Sequence, residues 1–251
     1  MKVLLLGHKG YLGSYLYQYL NCDIATERDG RGTIGSNYDI VINCIAKTDI
    51  KWCEEHPLES LRINGNLNLE LCNLFPKAKI VSFSTYYVYD TFELATETHP
   101  LAINSLNYIK HKIQGEIVSK RGLTFRIGKL FGNPQKQQNR LTEYILNNNP
   151  LELDQHRFNP CSCQQILSIL LNKSFIMDCH GIFNLANDGI TNPVDYAKFI
   201  LEKAKLSKTI LEIERLPFPN YGKFAMNLSK IKQHFSLRPW QEDMEKYLCT
   251  V

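Results

Sequence analysis

No apolar run in this chain reaches the roughly 18–20 residues that a bilayer-spanning helix needs, so a helical membrane protein is excluded. The opening Met1-Lys2-Val3-Leu4-Leu5-Leu6 stops at Gly7-His8-Lys9. That is too short for the apolar region of a signal peptide, and a buried first strand is expected instead. A concentrated basic stripe is also missing. The 29 Lys and Arg against 25 Asp and Glu leave a formal net charge of +4, whereas nucleic-acid binders cluster their cations on one face. Such a mild excess suits an anionic small molecule, such as a phosphorylated cofactor or substrate. Cysteine spacing of the zinc type is absent too. The 8 cysteines are Cys22, Cys44, Cys53, Cys72, Cys161, Cys163, Cys179 and Cys249. Cys161-Ser162-Cys163 has no second pair or histidine at zinc spacing, so no metal is expected. Several of these thiols sit in apolar runs and read as core residues, and the expected compartment is a reducing cytoplasm. Repeats, low-complexity tracts and long linkers are lacking.

What remains is an ordinary globular composition, 251 residues with 44% hydrophobic and 22% charged side chains, enough for one large domain or a domain with an appended lobe. Short apolar runs at Lys2–Leu6, Asp23–Ala25, Ile40–Asn43, Lys79–Ser84 and Leu123–Arg126 alternate with helix-patterned stretches at Tyr11–Leu20, Leu58–Leu74 and Ser105–Ser119. Alternation of this kind marks βαβ units and a parallel sheet. The polar stretch from Glu27 to Asn37 is too short to hold a helix between its flanking strands. Beyond Gly132 the pattern is less regular. It predicts helices at Leu141–Asn147, Cys163–Leu171, Val194–Lys203 and Gln241–Leu248, a short strand at Leu151–Asp154, and a late strand near 181–187.

Two local patterns carry chemistry. The first is Gly7-His8-Lys9-Gly10-Tyr11-Leu12-Gly13, a G-x-x-G-x-x-G turn between a strand and a helix. Glycines here allow a sharp turn, close approach of the backbone to a pyrophosphate and tight helix–strand packing, and the helix N-terminus faces the phosphates. The fold expected is therefore α/β, a Rossmann-type doubly wound parallel sheet with a smaller C-terminal substrate lobe. Residues 1–132 would form the dinucleotide-binding domain, together with the late strand, and 133–251 mainly the lobe. Lys9 in the loop and Arg28 after the second strand favour the 2′-phosphate of NADPH over NADH; solvated surface charge is the alternative for both.

The second pattern is Tyr108 followed four residues later by Lys112. Of 13 tyrosines, only this one has a lysine at that spacing. Residues four apart share a helix face. An ammonium there stabilises the phenolate of a side chain whose unperturbed pKa is ~10. Ser84-Thr85 ends the fourth strand and offers a hydroxyl at the same edge.

At this point the chain resembles the extended short-chain dehydrogenases/reductases, and most closely their dTDP-4-dehydrorhamnose reductase-like branch. The likeness runs nearly end to end. It rests on Tyr38–Ala46, on Glu54, Pro57 and Asn64, and on Ser84-Thr85 with Val88-Tyr89-Asp90. Further on it rests on Tyr108, Lys112 and Gly115-Glu116, on Phe125–Gly132, on Gln155 and Pro160, and on Arg238-Pro239-Trp240. It implies NADPH-dependent reduction of the 4-keto group of a nucleotide-activated 4-keto-6-deoxysugar. Thr85, Tyr108 and Lys112 would be catalytic. Gly7, His8, Lys9, Gly10, Tyr11, Leu12, Gly13, Arg28, Asn43, Cys44, Ile45, Ala46, Tyr108 and Lys112 would hold NADP. Thr85 and Tyr86 would meet the substrate, with Lys129 and Arg157 as candidates for its diphosphate. The pattern departs from the branch at Tyr86 (usually Asp), Ile109 (usually Gly) and Lys129 (usually Trp). Two further readings stay open: a nucleotide-sugar 4-epimerase with retained NAD, and a non-catalytic nucleotide-binding regulatory subunit. The expected partner is a nucleotide-diphosphate sugar, with no nucleic acid and no membrane; the oligomeric state, a homodimer included, stays open.

Overall fold

The computed structural model describes residues 1–25, 37–90, 94–136, 141–213 and 225–251. The first half alternates strand and helix. β1 (Val3–Leu6) leads into α1 (Tyr11–Tyr19), and β2 (Asp23–Ile24) follows. β3 (Ile40–Asn43) precedes α2 (Ile50–Glu55), α3 (Pro57–Ser60) and α4 (Leu67–Leu74). β4 (Lys79–Thr85) ends in a 3-10 turn at Tyr86–Val88. α5 (Asn107–Gly115) runs on as 3-10 helix over Glu116–Lys120 and reaches β5 (Leu123–Ile127). The second half opens with β6 (Lys129–Phe131), α6 (Leu141–Asn147), β7 (Leu151–Leu153) and β8 (Pro160–Ser162). Then come α7 (Cys163–Leu171), α8 (Lys173–Asp178), β9 (Gly181–Leu185) and α9 (Pro193–Ala204). β10 (Ile210–Glu212), α10 (Ser229–Lys232) and α11 (Trp240–Leu248) close the chain.

Among the described residues, six strands form one parallel sheet in the order β2-β1-β3-β4-β5-β9. Strands buried on both faces read as continuous apolar runs, and β1 and β3 are buried at every position. Successive side chains point to opposite faces. Leu5, Ile40, Ile42, Val81 and Phe125 pack in one cluster with Leu12 and Leu16 of α1 and Ile166 of α7. Leu4, Leu6, Val41 and Ile80 pack on the other side, against Leu67 and Leu71 of α4. The strand order reverses at β1, with β2 on one side and β3 on the other. A crevice at the carboxyl ends of strands flanking such a reversal is where this architecture takes its ligands.

The helix expected over Leu58–Leu74 is interrupted. α3 and α4 are joined by a π-helical segment at Leu61–Asn66, which sits where α5 crosses. A side chain at Gly115 would place its Cβ 2.3 Å from the Asn64 carbonyl oxygen, so the two backbones meet there directly. The late strand is present as β9, beside β5. Two small parallel pairs, β6 with β8 and β7 with β10, were not expected apart from β7. Strands of three residues are too short for a periodic signal. The Glu27–Asn37 reading falls almost wholly on 26–36, outside the described residues. Among the described residues no helix is long and apolar enough to cross a membrane, and no three His, Cys, Asp or Glu side chains gather as a metal would require.

Candidate active site

The glycine turn is compressed from two sides. Gly7 has φ +77°, a conformation L side chains rarely adopt. A Cβ on Gly13 would lie 2.1 Å from the Gly7 carbonyl oxygen, so α1 presses directly onto the turn. The turn after β3 closes the other side, with Cys44 and Ile45 backbone atoms 2.9 Å from the place of a Gly7 Cβ. α1 begins at Gly10 without any side-chain cap and with no acidic residue in its first turn. The start of a helix offers N–H groups that the helix itself does not use, and they attract anions. A flat backbone cradle with an uncapped helix start fits a pyrophosphate.

Side chains around this cradle divide by direction. His8 is half-buried with its ring 5.9 Å from Tyr17, and Lys9 is exposed. The Lys9 carbonyl accepts from Lys136 Nζ. Tyr11 and Leu12 turn into the core. The Tyr11 phenol donates to Glu143 at 3.2 Å and accepts from the Asn133 N–H at 3.2 Å. Burial pushes the Tyr11 hydroxyl far above its ordinary range. Only the backbone of these two residues is left for a ligand. Arg28 lies outside the described residues.

The turn after β3 is held by asparagines. Asn43 Oδ1 accepts from Ile45 N–H at 2.9 Å, and Asn43 Nδ2 donates to Asn68 Oδ1 at 2.8 Å. Asn68 in turn donates to the Gly115 carbonyl at 2.8 Å. Asn64 clamps Lys47 through both its backbone groups, at 3.0 and 2.9 Å. Asn43 therefore shapes the turn that Cys44, half-buried Ile45 and exposed Ala46 present to the crevice. Burial raises the Cys44 thiol well above its usual range and keeps it neutral.

α5 crosses the end of β4. Lys112, only 8% exposed, donates through Nζ to the Phe83 carbonyl at 2.5 Å. Burial lowers its pKa to about 8, while the Glu116 carboxylate works against that fall. Tyr108, one turn earlier, is 6% exposed and packs with Cys53 and Ile109, with Tyr87 against the same cluster. Tyr87 returns to Thr85, whose Oγ1 accepts its N–H at 3.3 Å. Thr85, Tyr108 and Lys112 are thus gathered around the end of β4. Beside them the buried Ser84 Oγ has no hydrogen-bond partner among the described residues.

The other expected substrate residues are Tyr86, which follows Thr85 directly, Lys129 and Arg157. Tyr86 is buried, its ring 4.4 Å from that of Tyr87. Lys129 opens β6, and its Nζ stands 5.7 Å from the centre of the Phe158 ring. Arg157 is exposed at the rim of a cavity of about 400 Å³ walled by Thr191, Asn192, Phe199 and Trp240. Two supporting pairs escaped the sequence reading. Glu116 receives Arg126 in a bidentate ion pair at 2.9 and 2.6 Å, both side chains buried. Glu54 meets the first residue of α5, Asn107. Partners 10 and 53 residues apart leave no local spacing to read.

The family model described as RmlD substrate binding domain matches residues 1–251, the entire chain. The chain belongs to this family. Membership agrees with the reductase-like resemblance read from the motifs. No curated protein matches the sequence. Among solved structures, a dTDP-4-dehydrorhamnose reductase from Clostridium acetobutylicum has a TM-score of 0.83 at 22% identity, covering 99% of each chain. The Bacillus anthracis dTDP-4-dehydrorhamnose reductase in complex with NADP has a TM-score of 0.82 at 21% identity, over 99% of this chain and 98% of that one. A UDP-N-acetylglucosamine 4-epimerase from Methanobrevibacter ruminantium also reaches 0.83, at 15% identity, over 99% and 97%. At these identities the likeness is one of fold.

Proposed function

We propose that this protein is an NADPH-dependent reductase of the 4-keto group of a nucleotide-activated 4-keto-6-deoxysugar. Membership of the RmlD family supports the substrate class. The observation that carries the chemistry is the anchoring of Lys112 on the Phe83 carbonyl, with Tyr108 one turn before it and Thr85 two residues beyond Phe83. The cradle of Gly7, Gly10 and Gly13 with the uncapped start of α1 suits the cofactor's pyrophosphate. The NADP held by the Bacillus anthracis structure favours the same cofactor here. Residues 1–132 would hold the dinucleotide, and 133–251 would mainly shape the sugar site, the protein working in a reducing cytoplasm.

NADPH, when bound, supplies a hydride. The chain's own residues manage the proton and the charge. Tyr108 gives its phenolic proton to the keto oxygen as negative charge develops there. Thr85 Oγ1 donates a hydrogen bond to the same oxygen. The Lys112 ammonium stabilises the phenolate left on Tyr108 and holds the ribose. Lys129 and Arg157 are the cations offered to the substrate diphosphate.

Incubation with NADPH and a panel of dTDP-, UDP- and GDP-4-keto-6-deoxysugars tests this reading, followed by nicotinamide absorbance. Oxidation of NADPH with one sugar supports it. The fold shared with the Methanobrevibacter ruminantium epimerase favours the second reading, a 4-epimerase. That reading requires NAD to stay with the protein through purification, and the panel then oxidises no NADPH. A protein that neither oxidises NADPH nor carries NAD would leave the regulatory subunit as the remaining reading.

A further inference from the structure

α5 starts without a cap of its own. Its N-cap position is Leu106, which has no side-chain oxygen, and its first turn holds no acidic residue. The N–H groups opening a helix have no partner within it. Here one is met from another element. Glu54, in the last turn of α2, accepts the Asn107 backbone N–H through Oε1 at 2.6 Å and Asn107 Nδ2 through Oε2 at 3.2 Å. Both carboxylate oxygens serve the residue immediately before Tyr108. α2 is itself fixed. Asp49 Oδ1 accepts the Trp52 N–H at 3.0 Å, and Cys53 is buried against Tyr108 and Ile109.

We propose that Glu54 is a positioning residue, whose carboxylate caps α5 from outside and sets the place of the turn that carries Tyr108. The inference rests on the reading of Tyr108 as proton donor. α5 is held on both sides of Tyr108: at Asn107 by Glu54, and further along by His111 against Ser60 at 2.9 Å, by Lys112 on the Phe83 carbonyl and by Asn68 on the Gly115 carbonyl. Release of the Glu54 contact frees the opening turn while the later contacts hold, so the phenol shifts relative to an ammonium that does not. The glycine cradle is on another element and keeps its form.

Glu54 is exposed, so its variants should fold, and three of them separate reach from charge. Glu54→Gln keeps an oxygen within reach of the Asn107 N–H and loses the charge. Glu54→Asp keeps the charge and falls one methylene short. Glu54→Ala loses both. Hydrogen exchange on the NADPH-bound protein should quicken over residues 107–110 in the Ala and Asp variants, stay slow in Gln, and be unchanged over 7–13 in all three. With NADPH and the panel sugar that the unmodified protein reduces, kcat should fall roughly 10- to 100-fold for Ala and Asp, the scale expected of a reacting group misplaced by about an ångström. Gln should retain most of the turnover, and the NADPH dissociation constant should hold throughout. Equal exchange over 107–110 in all variants overturns the proposal. So does an Asp variant that works while Gln fails, because charge rather than reach would then be the cause. If the unmodified protein reduces no panel sugar, the reductase reading fails, while the exchange pattern still decides whether Glu54 holds the turn.

Discussion

Two residues, Tyr108 and Lys112, carry the sharpest expectations. If Tyr108 donates the proton, Tyr108→Phe should cut kcat by ~10²–10⁴-fold, the usual share of general acid catalysis. NADPH binding should be nearly intact, because the proton is needed only as charge develops on the substrate. Near-normal turnover would end the reductase reading. Lys112 adds a pH dependence. Burial lowers its pKa to about 8, so it is an ammonium below that pH and neutral above it. NADPH affinity should therefore weaken as pH rises through about 8, measured by titrating nicotinamide fluorescence. Lys112→Arg should flatten that limb, since a guanidinium stays charged; an unmodified protein with pH-independent affinity would refute the role. Both residues could be read in the sequence because a helix turns a spacing of four into adjacency. Glu54 and Arg126 stand in motifs that carry the resemblance, but their partners could not be read, since those partnerships exist only once separate elements have packed.

Elements were legible where their pattern was long. β1, α1, β3, β4, α5 and β5 lie where the apolar runs and helical periods put them. The π-helical break at Leu61–Asn66 was not readable, because the helix it packs against, α5, is distant in sequence and meets it through Gly65 and Gly115. The short pairs β6–β8 and β7–β10 depend likewise on neighbours distant in sequence. The glycine turn gives the prediction at this scale. A Cβ at position 13 would stand 2.1 Å from a backbone oxygen, which cannot swing aside as a side-chain tip can. Gly13→Ala should force α1 off the turn and weaken NADPH binding at least tenfold by the same titration, with loss of thermal stability. Unchanged affinity would show that α1 is not pressed onto the cradle in solution.

Across the whole molecule, a buried ion pair ties α5 to the sheet. Arg126 meets Glu116 with two of its three nitrogens, gives a hydrogen bond from the third to the Glu97 carbonyl at 3.1 Å, and stands over the Tyr89 ring at 4.7 Å. Removing one partner of such a pair strands the other charge. Glu116→Gln should cost about 3–5 kcal/mol in urea unfolding, and a loss below about 1 kcal/mol would mean that the guanidinium finds other compensation. The fold class was legible from strand–helix alternation. The path of the second half was less so, because only the run at 181–186 signalled a return to the sheet.

That return limits modular exchange. The chain leaves the sheet after β5, builds β6, α6, β7 and β8, then comes back to lay α7 against α1 and to add β9 at the edge. Glu143 of α6 meanwhile receives the phenols of both Tyr11 and Tyr247, each at 3.2 Å, so the first helix and the last share one buried carboxylate. A graft that swapped everything after Gly132 for the corresponding part of a relative would discard an edge strand and a covering helix along with the sugar site. Specificity could be transplanted intact only in pieces, with junctions on both sides of α7 and β9.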